Sequence, residues 1–155
     1  MPSRVAVVLH PREKLSKCSA WPLRERPEFD FYRFPDERVP DLGNCVRLGL
    51  SDEVLSPADS DKTLIVLDAT WRYAKGMEAD YASVPVRGLP SGWKTAYPRT
   101  SKLFDDPEGG LATVEAIFAA FVSLGRDTSG LLGGYQWREG FLRINAGLLK
   151  GSSDE

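Results

Sequence analysis

Histidine occurs once in the 155 residues, as His10, and cysteine twice, as Cys18 and Cys45. A haem or zinc site built on histidine is nearly excluded by that supply, and two thiols cannot make a zinc site by themselves. No secretory signal spans Met1 to Leu9, so the cysteines read as free thiols of a cytoplasmic protein rather than a disulfide. No apolar run approaches the ~18 residues of a membrane span, and no membrane partner is expected. Three nucleotide and hydrolase signatures are also missing. No G-x-G-x-x-G follows a strand, Gly109-Gly110 is not followed by a lysine, and there is no G-x-S-x-G. These absences argue against a dinucleotide enzyme, a P-loop enzyme and a hydrolase triad.

A charge excess of one sign is lacking too. The net charge is −2, which argues against a polybasic nucleic-acid binder. The distribution is less even. Residues 1–27 carry six Lys/Arg against two Glu, net +4, and residues 71–104 carry six against two acids, again net +4. Residues 51–70 and 105–155 are each net −4. Two basic segments on one face would suit phosphate; dispersed, they would be an ordinary solvated surface. If they converge on RNA, Arg12, Lys14, Lys17, Arg72 and Arg99 are the expected phosphate contacts.

What is present is a single α/β domain over residues 1–150, with 151–155 a disordered tail. A chain of this length buries roughly two-thirds of its unfolded surface and needs no covalent staple. Arg4–Leu9 and Thr63–Leu67 are continuous apolar runs of the kind buried inside parallel sheets. Phe29–Phe34 and Cys45–Leu50 read as further strands. Leu55–Asp59 reads as a turn or a short helix start. Helical spacing begins at Trp71 and runs to Tyr81. Val84–Gly110 is long, rich in Pro, Gly and basic residues, and too long for a plain connector. Leu111–Leu124 carries a wide apolar stripe and stops at Gly125. Leu131–Leu149 gives a second helical pattern, with Trp137, Phe141 and Leu142 as core residues. Strands alternating with helices predict a mostly parallel sheet, whose ligands bind beyond the carboxyl ends of the strands.

That rule points at the residues after Leu9 and after Leu67. Asp68 ends the most apolar strand. It can meet a cationic group or accept a proton, or it can cap the next helix together with Thr70. Thr113 and Glu115 open the next helix, where backbone N–H groups can hold an anion or simply be capped.

Six segments carry a family likeness: Lys17-Cys18-Ser19, Leu55 through Asp59, Leu67 through Trp71, Arg87 through Pro90, Leu111 through Ala116, and Trp137 through Asn145. In that order they resemble the ribosome-biogenesis aminocarboxypropyltransferases that modify small-subunit rRNA, within the wider DTW superfamily. Asp68 to Trp71 is also similar to DTW proteins whose tRNA-uridine members make the same modification. The resemblance implies a SPOUT-like α/β fold: a mostly parallel sheet, flanking helices and a knotted C-terminal half that holds S-adenosylmethionine. It implies transfer of the 3-amino-3-carboxypropyl group to a uridine or pseudouridine nitrogen in RNA, with methylthioadenosine as the other product. S-adenosylmethionine is consumed as a substrate, and no metal is expected. The partner is rRNA or tRNA, and the protein a monomer or homodimer.

The matched positions assign roles. Leu48, Leu50, Trp71 and Ala74 wall off the methyl group. Ser19 matches the carboxylate-binding position, and Asp68 the acid near the amino group and the attacking base. Leu89 and the helix start at Leu111, Ala112 and Thr113 border the adenine, and the Leu67 backbone borders the ribose. There are departures. The family's Asn-Pro-x-Asn-Tyr-Gly loop is Tyr97-Pro98-Arg99-Thr100-Ser101-Lys102 here. Ala69 replaces a Cys or Thr, and Trp21-Pro22 displaces a basic residue. The cysteine-rich N-terminal segment common in tRNA-acting DTW proteins is absent. Other readings are a tRNA-uridine enzyme, a SPOUT-type RNA methyltransferase and a non-catalytic RNA-binding assembly factor.

Overall fold

The computed structural model describes residues 4–12, 18–69, 71–97 and 111–153. Its centre is a parallel sheet of five strands among these residues: β1 (Val5–Leu9), β2 (Phe29–Arg33), β3 (Cys45–Leu48), β4 (Thr63–Asp68) and β5 (Val86–Arg87). The spatial order is β2-β1-β4-β3-β5, and every pairing is parallel. The two most apolar runs, β1 and β4, lie side by side at the centre with Leu9 opposite Asp68. A strand flanked on both sides and covered on both faces has no polar positions to offer, hence the unbroken burial of β1.

Alternate residues feed two cores. Val5, Val7, Leu9, Val46, Leu64 and Val66 pack with Ile117, Phe118 and Phe121 of α2 (Thr113–Leu124). Ala6, Val8, Cys45 and Ile65 pack with Met77 of α1 (Trp71–Glu78) and with Tyr81 and Val84 after it. α2 ends where the sequence indicates. Gly125 adopts φ +78°, and its N–H reaches back to the carbonyls of Phe121 and Val122.

Three expectations need correction. The strand at Cys45 stops at Leu48, not Leu50. The Pro- and Gly-rich segment contains β5, two residues between Pro85 and Gly88 that show no periodicity. Gly88 is required there, because a Cβ would lie 2.5 Å from the Ser51 carbonyl oxygen. The helical pattern over 131–149 is broken into turns and two helices, α3 (Arg138–Ile144) and α4 (Ala146–Ser153). The break is at Asn145, whose side chain accepts from the Lys94 N–H at 2.8 Å and donates to the Lys94 and Phe141 carbonyls. α4 runs through Ser153, and Leu149 packs partly buried against the core. Trp137, Phe141 and Leu142 are core residues as expected.

Glu115 of α2 is fully buried and accepts four hydrogen bonds. The donors are the Thr95 hydroxyl at 2.6 Å, the Ala96 N–H at 2.9 Å, the Ala112 N–H at 2.8 Å and the Tyr135 hydroxyl at 2.9 Å. Glu115→Ala strands two backbone donors and two hydroxyls. It is expected to destabilise the fold by about 3–5 kcal/mol in urea unfolding, more than Glu115→Gln, which keeps an acceptor oxygen.

Candidate functional site at the carboxyl edge of the sheet

β4 delivers Asp68 to the carboxyl edge of the sheet, buried, on the face covered by α2. The Thr113 hydroxyl donates to Asp68 Oδ1 at 2.6 Å, and the Cys18 thiol donates to Oδ2. Each carboxylate oxygen therefore keeps a lone pair for one further partner. Burial, with the Asp68 charge beside it, pushes the Cys18 thiol far above its ordinary range, so it stays protonated and donates. Through these partners both oxygens of Asp68 turn toward α2 and the 18–19 segment.

Next to Cys18, the Ser19 hydroxyl oxygen accepts the Val114 N–H at 3.0 Å. Ala112 occupies the N-cap position of α2 and has no side-chain acceptor, so Ser19 supplies one from 95 residues away. Glu115 takes the Ala112 N–H. At these two donors the start of α2 is capped from within the chain.

A cavity of about 360 Å³ opens beside this cluster, between the ends of β3 and β4 and the helices α1 and α2. Its size falls in the range of small-molecule sites. Of the positions matched to the family, Leu48, Leu50, Leu67, Ala74, Leu111 and Thr113 line it. Thr113 thus touches both the cavity and the Asp68 carboxylate. The other matched positions fall elsewhere. Ser19 caps α2, while Leu89 and Ala112 pack partly buried against the core. Trp71 is the first residue of α1, one turn before Ala74, and its side chain lies outside the described residues, as does Thr70.

Sequence reasoning missed the polar end of the cavity, formed by Arg47, Lys75 and Glu78. Arg47 reads simply as the polar residue of a short strand, and Lys75 and Glu78 as the solvent face of a helix. It also missed Cys18, whose signal was only its adjacency to Ser19. Of the expected phosphate contacts, Arg12 is exposed, three residues beyond the end of β1. Arg72 is the second residue of α1, beyond the end of the neighbouring β4. Both therefore follow strand ends on the cavity edge. Lys14, Lys17, Arg99 and the Arg72 side chain lie outside the described residues. Among the described residues, no group of three His, Cys, Asp or Glu could hold a metal ion, and no helix is long and apolar enough to cross a membrane.

The Cys18 thiol is expected to alkylate with iodoacetamide at least tenfold more slowly at pH 8 than an exposed cysteine, because it is held protonated. Asp68→Asn removes the neighbouring charge and is expected to speed that reaction. Peptide mass mapping separates Cys18 from Cys45, and equal rates in both proteins would refute the pairing.

No family model matches the chain, and no curated protein does. Among solved structures the chain is similar to the SAM-dependent rRNA:acp-transferase Tsr3 from Vulcanisaeta distributa, with a TM-score of 0.74 and 20% identity. The match covers 100% of this chain and 85% of that one. The chain shares that protein's overall architecture, a parallel sheet with flanking helices.

Proposed function

We propose that the chain is an S-adenosylmethionine-dependent transferase. It moves the 3-amino-3-carboxypropyl group to a uridine or pseudouridine nitrogen of RNA, small-subunit rRNA foremost. One observation carries the reading: six positions matched to the aminocarboxypropyltransferases line one cavity at the carboxyl edge, beside the buried Asp68. The shared fold supports it. On this reading the protein belongs to that family, works in the cytoplasm as a monomer or homodimer, and threads its C-terminal half as a knot. The pinning of residues 94–97 by Glu115 and of Lys94 by Asn145 is in keeping with a fixed path there.

S-adenosylmethionine, when bound, supplies a sulfonium flanked by electrophilic carbons. The chain's own task is to expose one carbon and cover another. Leu48, Leu50 and Ala74 form an apolar wall with no hydrogen-bonding groups in their side chains, suited to cover a methyl group. Asp68 is held by Cys18 and Thr113 in a fixed orientation, and fixed orientation is a large share of rate. Its remaining lone pairs suit the ammonium of an amino-acid head or the proton leaving a ring nitrogen.

Calorimetry is expected to give one S-adenosylmethionine site per chain, and Leu48→Trp, which fills the cavity, is expected to weaken it more than tenfold. Nucleosides from RNA of a deletion strain are expected to lack the aminocarboxypropyl mass. Absence of any S-adenosylmethionine binding would instead support an assembly factor without catalysis. Asp68→Asn is expected to lower turnover at saturation by roughly 10²–10⁴-fold, as for a lost general base. Lost affinity with intact turnover would assign Asp68 to the ammonium alone.

A further inference from the structure

The arginines of this chain differ in how their guanidinium groups are satisfied. Arg126 donates to the carbonyls of Ser60, Lys62 and Arg4 and lies over the Phe121 ring. Arg26 donates to Glu28 Oε2 from Nε at 3.0 Å and from Nη2 at 2.7 Å, and to the Ser129 carbonyl. Arg4 holds Asp30 in the same manner. These three tie segments of the fold together.

Arg47 is different. Its Nε is buried and has no hydrogen-bond partner. Its Nη1 lies 3.9 Å from Glu78 Oε2, an ion pair without a hydrogen bond. A structural arginine does not leave its donors idle, because unpaired buried donors are penalised. The fold nonetheless makes room for this one. A Cβ at Gly49 would stand 2.9 Å from Arg47 Nη1 and 3.5 Å from Cζ, so glycine leaves the seat over which the guanidinium lies. Arg47 pairs with Ile65 on β4, and Gly49 is two residues further along, so the charged head reaches the carboxyl edge of the sheet. There it lines the cavity beside Glu78.

We propose that Arg47 is a ligand-binding residue that takes a backbone phosphate of the RNA strand at the mouth of the cavity, with Glu78 as the counter-ion it leaves. This rests on the reading of the protein as an RNA-modifying enzyme. A guanidinium offers donors only, so its ligand must bring oxygen acceptors. A phosphate answers both the planar fork and the charge of the guanidinium itself, whereas a neutral carbonyl leaves that charge unmatched. Glu78 is half-exposed and its contact is long, so the guanidinium can turn outward without breaking a hydrogen bond. Leu50, at the same rim, is 62% exposed and gives the attached base an apolar shelf.

The test is binding of a fluorescein-labelled oligouridylate by anisotropy across a KCl series from roughly 50 to 200 mM. Arg47→Gln, Glu78→Gln and the exposed Arg143→Gln are compared with the unaltered protein. Losing one phosphate contact should lower affinity about tenfold and reduce the log–log salt slope by about 0.7. Glu78→Gln should tighten binding, because it removes the competing carboxylate. Arg143→Gln should leave the slope unchanged. A folded Arg47→Gln protein with an unaltered slope overturns the assignment while leaving the RNA reading intact. No binding by the unaltered protein at any salt overturns both. Should Arg47→Gln fail to fold, Glu78→Gln decides: unchanged affinity overturns the proposal.

Discussion

Glu115 is the constraint on which the rest of the site depends. A carboxylate with no exposure to water persists only if its lone pairs are occupied, and here four donors from three parts of the chain occupy them. The Thr95 and Ala96 donors fix the irregular segment before residue 98. The Ala112 donor fixes the start of α2, and the Tyr135 donor fixes the turns after it. Asn145 grips the adjoining Lys94 peptide from the far side, through both its N–H and its carbonyl. Residues 94–96 and the start of α2 are thereby set relative to each other. With α2 so placed, Thr113 falls within reach of Asp68, and Val114 within reach of Ser19.

The sheet supplies the complementary constraint. Parallel strands bring all their carboxyl ends to one edge, so Leu9, Leu48 and Asp68 finish near each other although they are far apart in sequence. The edge then divides by face. Leu67 belongs with the α1 side and Val66 with the α2 side, and both line the cavity, which therefore spans the edge rather than one face. A pocket built across the edge touches β3, β4, α1 and α2 together. A ligand bound there would stabilise their mutual packing by mass action.

The parts of this fold legible in the sequence are those where one local pattern decides the outcome. RVAVVL and TLIVL have no polar alternative to a buried strand, and the stripe from Leu111 to Leu124 ends on a glycine that can adopt positive φ. The illegible parts are decided by partners far along the chain. The apolar spacing from Leu131 to Leu149 is helical throughout, yet Asn145 exchanges helix continuity for three hydrogen bonds, two of them to Lys94. β5 is two residues long and exists because β3 presents an edge to it. The same division holds at the site. Six cavity residues were named through the family likeness, five of them apolar side chains whose type alone carries no distinguishing chemistry. The bond from the Val114 N–H to the Ser19 hydroxyl is a pairing across 95 residues that no local pattern encodes.

Asp68 illustrates how one residue type acquires its role from its surroundings. A carboxylate after a strand and before a helix suits a cap, and local sequence favours that use. Here two side-chain donors, from Cys18 and Thr113, hold both oxygens on the opposite side of the sheet from α1. The thiol is a weak donor and the hydroxyl a flexible one, so the clamp orients the carboxylate without neutralising it as an arginine would. A carboxyl group kept buried, oriented and without a cationic partner among the described residues is an arrangement that packing alone does not require. On the proposed function, its counterpart would be the ammonium of an amino-acid ligand beside Thr113 at the cavity wall.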